Sequence, residues 1–412
     1  MKAFRNILNL LKSNPKETST GKQLAVGILW SFIGTLIARG AVFGSTIIIA
    51  RMFGSSLYGE LGMIQSTIGM LAALSSFGLI VTSTKYLAEY RQKDPERASR
   101  IVGITSIVAI TTGAFMATCI FLCAPWLSEH TLQAPHLSTA LQYGAIMLFF
   151  GTLNGAQNGA LSGLGEFKAI ARVNLISGLL AFPILITGAF LGELNGVLLA
   201  LGLNAVTLWF ITRLSLKKAL NKHNIEFSFK NCLQEWPILW VCSIPSLIAG
   251  SLIATARWTC NTIMINKLGG YEALGIFSAA LVFQGLLLAA TGTLNAPLLS
   301  MIANEQDKLS NKLRFANLQL GWLVATLIAI PMLGFSEFIQ LMLGSDYSGE
   351  NFRITFAIVI FYTVLMIFNA GVTRVLISKG LVWWSVISNL LWALALIVSS
   401  YYMTQNGSIG IA

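Results

Sequence analysis

The sequence predicts an all-α protein, a polytopic membrane helix bundle of two pseudo-symmetric lobes. Three observations carry this. Hydrophobic residues make up 55% of the 412 residues and charged residues only 10%, with mean hydropathy +0.73; a soluble domain carries about 25% charged residues. Apolar runs of membrane-crossing length follow one another with short polar breaks. Sequence words from the first half return in the same order in the second.

About 20 apolar residues cross the hydrocarbon core as a helix. Eleven runs approach or exceed that length: 24–50, 61–86, 101–126, 138–163, 170–190, 196–212, 237–265, 275–301, 315–335, 353–374 and 382–403. They divide the chain into an N-terminal segment over 1–23, a six-span lobe over 24–212, a linker over 213–236 and a five-span lobe over 237–412. In the N-terminal segment, Phe4, Ile7, Leu8, Leu10 and Leu11 are interspersed with Lys2, Arg5 and Lys12. That pattern suits either an amphipathic stretch on an anionic leaflet or a free tail.

The net charge is +11. Its placement points to topology rather than to nucleic acid. With the N-terminus in the cytoplasm, basic residues crowd every inner segment: Lys85 to Arg100 after span 2, Lys168 and Arg172 after span 4, Arg213 to Lys230 after span 6, and Lys308, Lys312 and Arg314 before span 9. The outer side keeps only Arg51, Lys267 and Arg353. This is the positive-inside pattern.

The repeat appears after six spans. GSSLYGELGMIQS at 54–66 aligns with GYEALGIFSAALV at 270–282, pairing Gly54 with Gly270 and Gly59 with Gly275. ALSGLGEFKAIARVNLISGLL at 160–180 aligns with VLISKGLVWWSVISNLLWAL at 375–394. An even number of spans between copies keeps both halves in one orientation, related by a pseudo-two-fold axis along the membrane normal. NGVLLA at 195–200 opens span 6, and NGSIGIA at 406–412 stands where a twelfth helix would begin. The expectation is an eleven-span protein or a piece of a twelve-span one.

Two arginines interrupt apolar runs at matching places. Arg39 lies 15 residues before Gly54 and Arg257 lies 13 before Gly270, a depth difference of about 3 Å at 1.5 Å per residue. A guanidinium in hydrocarbon costs from about 3 to more than 10 kcal/mol, so two of them point to an anion held within the membrane. At i±4 and i±7 spacing, Arg39 shares a helix face with Ser31, Thr35 and Thr46, and Arg257 with Ser246, Gly250 and Asn261. Each then heads a polar stripe, and lobe symmetry would put both on one central cleft. The competing reading is structural, with helix carbonyls or lipid headgroups taking the charge. Lys85 ends span 2, where it could meet an arriving anion or anchor the helix. Span 4 holds Asn154, Gln157 and Asn158 among four glycines in LNGAQNGALSG, which suits close packing or a sugar-binding wall. Gln284, Asn295 and Asn369 are weaker instances. Pro183, Pro245, Pro297 and Pro331 fall within spans, where each removes a backbone hydrogen bond and favours a kink.

Other chemistry lacks support. No Asp or Glu falls inside a span, although Glu60 and Glu272 start outer helix ends and Glu166 sits in an inner loop. A cation or proton-coupled drug exporter would want an intramembrane carboxylate. There is no GxxxxGK[ST] phosphate loop and no nucleophile beside a base. The five cysteines read as small hydrophobes, and His130, His136 and His223 have no partner at ligand spacing. No enzyme activity, cofactor, metal or nucleic-acid partner is expected.

At ARMFGSSLYGELGMIQSTIGML, TSTKYLAEYRQKDPERASRIVG and GALSGLGEFKAIARVNLI, the chain resembles bacterial polysaccharide flippases of the Wzx type, in the MATE-like MOP superfamily. The resemblance runs from about residue 22 onward. It implies a twelve-helix, two-lobe transporter of the inner membrane. Such a protein carries undecaprenyl-diphosphate-linked oligosaccharide units, as for O-antigen or capsule, from the cytoplasmic to the periplasmic leaflet by alternating access. It further implies that Arg39, Arg257 and, less closely, Lys85 contact the diphosphate while Asn154, Gln157 and Asn158 contact sugar. A polysaccharide polymerase and a chain-length regulator would be partners. The alternatives are a multidrug or cation antiporter of the same fold, a membrane glycosyltransferase or polymerase, and a non-transporting partner of a polysaccharide assembly complex.

Overall fold

Every long apolar run that the structure describes is helical. The computed structural model describes residues 20–266, 270–292, 316–378 and 382–403, with side chains from residue 38 onward in the first helix. The amphipathic stretch through residue 19, Asn295, Pro297, Lys308, Lys312, Arg314 and the repeat word at 406–412 lie outside the described residues.

The helices are α1 Thr20–Ser75, α2 Leu79–Tyr90, α3 Pro95–Trp126, α4 Ser138–Gly163, α5 Phe167–Lys222, α6 Ile244–Ile265, α7 Gly270–Gly292, α8 Gly321–Gly334, α9 Ser336–Leu343, α10 Glu350–Ser378 and α11 Val382–Met403. No strand occurs among the described residues. Six helical stretches among them are long and apolar enough to cross a membrane by length and composition: Ala38–Ser75, Pro95–Thr131, Phe167–Lys222, Gly270–Gly292, Asn317–Gly334 and Glu350–Val372. The molecule is an all-α, multi-pass membrane protein.

Breaks in the long helices follow from local chemistry. α1 leaves helical geometry at Gly54, with φ 68° and ψ −179°. α5 does so at Gly192 and Glu193, where the chain doubles back so that Gly188 lies against the backbone of Gly196. Only small residues allow that approach. The sequence favoured a kink at Pro183, but the dihedrals stay helical there and the break comes at Gly192–Glu193. Pro245 falls in the first turn of α6, directly after a π-helical turn over Leu239–Ser243, so the helical winding changes just before the residue that lacks an N–H. Span 2 is also discontinuous. Phe77 and Gly78 adopt φ 48° and 62° between α1 and α2.

The repeat is written into the backbone. Gly54 and its mate Gly270, offset by 216 residues, both take positive φ, 68° and 52°. Gly59 and its mate Gly275 face each other across the lobe seam. A Cβ on Gly59 would collide with the Tyr271 carbonyl, and one on Gly275 with the Ser55 carbonyl. Each glycine thus abuts the residue four before its own mate, the reciprocity expected at a two-fold contact. The same symmetry recurs nearby. Tyr271 donates its hydroxyl to the Leu132 carbonyl at 2.8 Å, and Tyr347, one repeat offset from Thr131, donates to the Gly54 carbonyl at 3.1 Å. The apolar core runs through this seam, joining Met63, Ile64 and Ile68 of α1 to Leu274 and Phe283 of α7 and Phe356 of α10.

The lobes also touch farther along. Trp258 Nε1 donates to Thr67 Oγ1 at 3.0 Å and Asn261 Nδ2 to Ser66 Oγ at 2.9 Å. The segment before α6 is strapped to the first lobe. The carboxylate of Glu235, only 7% exposed, bridges Arg97 at 3.1 Å and Arg100 at 3.3 Å, while Ser99 donates to the Glu226 carbonyl.

Candidate functional site

Arg39 opens into a cavity of about 390 Å³ walled by α1, both halves of α5, and α7. Small residues set the approach of two of these walls: Gly178 of α5 lies directly against Ala38 of α1. On α1, Val42, Phe43 and Thr46 continue the Arg39 face. On α5, Asn174, Ser177 and Ala181 line up at i, i+3 and i+7, with Asn204 from the returning half. Ser177 Oγ lies 3.4 Å from Asn204 Oδ1. The fourth wall, α7, is apolar and comes from the second lobe through Val282, Gly285, Leu286 and Ala289. These positions are 12 to 19 residues past Gly270, roughly 18–28 Å along the helix at 1.5 Å per residue. The cavity therefore lies well away from the Gly59–Gly275 seam.

Arg39 makes no ion pair or hydrogen bond among the described residues. A guanidinium presents five N–H donors in a fixed fork and is charged at any physiological pH. In a largely apolar cavity that fork is suited to a carboxylate, phosphate or diphosphate.

Arg257 opens elsewhere. It lines a smaller cavity of about 110 Å³, enclosed by α6, α7, α10 and α11 within the second lobe. The two cavities have no lining residue in common. On α7, Phe277, Leu281 and Gln284 face Arg257 while Val282, Gly285, Leu286 and Ala289 face Arg39, two faces roughly 120° apart at 100° per residue. The two arginines thus line separate cavities on different faces of α7.

The remaining candidates lie outside both linings. Lys85 is exposed on α2, its Nζ 5.1 Å from the centre of the Tyr86 ring. Asn154 is buried on α4 and donates to the Ala205 carbonyl at 3.1 Å. The side-chain oxygens of Asn154, Gln157 and Asn158 are buried without a partner among the described residues. These amides face the interior of the first lobe. Sequence reasoning counted the amides of span 4 and passed over Asn174, Ser177 and Asn204; the i, i+3, i+7 face of span 5 was the signal available.

A model of the polysaccharide biosynthesis protein family matches residues 24–303. The chain belongs to that family. Among characterised relatives, it is 23% identical over 250 residues to the EPS I polysaccharide export inner membrane protein EpsE of Ralstonia nicotianae, covering 60% of this chain and 56% of that one. It is 29% identical over 106 residues to the lipid III flippase of Escherichia coli, covering 26% of this chain and 25% of that one. The chain thus spans about half the length, or less, of the characterised relatives it matches. Solved structures establish the fold of this family member over nearly its whole length. An inward-facing multidrug resistance MATE transporter of the MOP superfamily superposes with TM-score 0.73 at 16% identity, covering 90% of this chain and 89% of that one. An outward-facing one gives 0.70 at 14% identity, covering 98% and 92%. A MOP superfamily transporter from Pyrococcus furiosus gives 0.68 at 15% identity, covering 98% and 91%.

Proposed function

We propose that this protein is a flippase of the bacterial inner membrane that moves undecaprenyl-diphosphate-linked oligosaccharide units from the cytoplasmic to the periplasmic leaflet. The observation that carries the reading is Arg39: a permanent positive charge with no hydrogen-bond or ion-pair partner among the described residues, in a cavity walled by both lobes, in a member of the polysaccharide biosynthesis family. A diphosphate is the part of such a substrate that hydrocarbon rejects most strongly. A guanidinium fork offsets that cost through charge-assisted, bidentate contacts. Asn174, Ser177 and Asn204 supply amide and hydroxyl groups beside it for sugar hydroxyls, and the polyprenyl chain stays in the bilayer.

Alternating access fits the geometry. The lobes are closed on each other at the Gly59–Gly275 seam, and the Arg39 cavity lies beyond it. With the N-terminus in the cytoplasm, as the distribution of Lys and Arg favours, this conformer is shut on the periplasmic side and positioned for loading. Lobe rocking about the seam would expose the cavity to the other leaflet. A polysaccharide polymerase would take the unit after release.

The test uses a strain lacking its own flippase. Arg39→Ala should abolish surface glycan while the protein level by blot stays normal. Arg39→Lys should restore part of it, because lysine keeps the charge and loses the fork. Full glycan display from Arg39→Ala at normal protein level would overturn the assignment of Arg39.

A further inference from the structure

Arg257 is left without a role by the geometry above, and its surroundings are specific. Its cavity is less than a third the volume of the Arg39 cavity and belongs to the second lobe alone. Phe277, Leu281, Val359, Trp392 and Leu396 make most of its wall. Neither Arg257 nor the hydroxyl of Tyr362, which also lines it, has a hydrogen-bond or ion-pair partner among the described residues. The amides on the wall are engaged: Asn261 Nδ2 with Ser66 and Gln284 Nε2 with Thr363, the latter at 3.0 Å. The side chains on the wall left without a partner among the described residues thus include a guanidinium fork and a phenol, both able to donate to an anion.

We propose that this cavity is a separate binding site for one small monovalent anion, with chloride as the ion of that class used in the test. Three arguments select it. Arg257 is exposed at the mouth of its cavity, and within a membrane span a counter-charge beside the guanidinium lowers the cost of holding it there. A guanidinium fork accepts any anion, and its single charge is neutralised by a single monovalent ion. A sugar-bearing diphosphate also needs more space than the 110 Å³ of this cavity, such as the Arg39 cavity provides. The location gives the ion a consequence. Trp258 and Asn261, next to Arg257 and one turn after it, are the α6 residues that hold Thr67 and Ser66 of the first lobe. An anion on Arg257 fixes the turn of α6 that docks across the seam. The inference concerns Arg257 and does not depend on the substrate assigned to Arg39.

The experiment is thermal unfolding of the purified full chain in lipid nanodiscs, with chloride titrated against gluconate at constant ionic strength. The wild type should gain a saturable rise in Tm with chloride, and bromide should reproduce it. Arg257→Gln should lose the rise, and Arg39→Gln should keep it. Tyr362→Phe, a mild change, should raise the half-saturating chloride about tenfold, as for a lost hydrogen bond to a charged group. No chloride-specific rise in the wild type, a rise that survives in Arg257→Gln, or one that disappears in Arg39→Gln would each overturn the proposal. If Arg257→Gln does not fold, Tyr362→Phe and Arg257→Lys decide it: unchanged chloride affinity in both would overturn the site, and weakened affinity in both would support it.

Discussion

At the scale of single residues, Arg39 stands out from the basic residues of the loops by the cavity it lines and by having no hydrogen-bond or ion-pair partner among the described residues. Some of the others are engaged. Arg91 Nη1 reaches the carbonyl of Leu164 at the end of α4, and Lys222 Nζ sits 2.6 Å from Glu166. The latter pair makes a pH prediction. The hydrogen bond from Lys222 holds the Glu166 carboxyl below its ordinary range, aided by the charges of Lys222 and His223 and opposed by partial burial. A carboxyl whose folded pKa is depressed lends stability above its unfolded pKa, lost as pH falls through the folded one. Glu166→Gln should therefore lower Tm slightly at pH 7, and the difference should shrink as pH falls below the ordinary carboxylate range, read by thermal melts across pH. The arginines were legible in the sequence because a charge inside an apolar run is visible without any fold. Asn174, Ser177 and Asn204 were not, because only the packing of α5 against α1 and α7 decides which face looks into the cavity. Asn154, Gln157 and Asn158 drew attention by number, and their direction, into the first lobe, was not written in their spacing.

At the scale of elements, two features carry testable energies. The first is the strap before α6. Glu235 is the buried partner, while Arg97 and Arg100 are 35% and 25% exposed. Removing the carboxylate lets both arginines return to water, so Glu235→Ala should cost about 1 kcal/mol. Removing both arginines strands a buried carboxylate, so Arg97→Ala with Arg100→Ala should cost about 3 kcal/mol or more. Denaturation of the three proteins in one detergent checks the order, and equal losses would refute the asymmetry. The second is the seam glycine. Gly275→Val sets a branched side chain against the Ser55 carbonyl and should destabilise by about 2–3 kcal/mol, as overpacking does. Gly285→Ala, on the same helix with open space beside it, should change Tm far less. Helix existence was readable from hydropathy, but the break points were less so. Pro183 looked like the weak point of span 5, yet a proline in a long membrane helix keeps helical dihedrals when neighbours hold it. A Gly-Glu pair at a helix end has no such support.

At the scale of the whole molecule, the two-lobe plan was legible from the repeat words. The structure adds that repeat mates touch each other, Gly59 against Gly275 and Gly62 against Ser278. The separation of the two arginine cavities was not legible, because only the packing of α6 and α7 decides which face of α7 each arginine meets. The proposed orientation predicts that alkaline phosphatase fused at residue 133 is active and fused at residue 224 inactive; the reverse would invert the loading side. The central claim is that the molecule carries a lipid-linked oligosaccharide across the bilayer on the charge of Arg39. It is tested most directly in proteoliposomes holding the purified protein and a radiolabelled undecaprenyl-diphosphate oligosaccharide, by following the share that membrane-impermeant periodate can oxidise from outside. The account predicts that the protected pool becomes oxidisable over time with the wild type and stays protected with Arg39→Ala. A pool that remains protected with the wild type, or is exposed equally fast by Arg39→Ala, would contradict it.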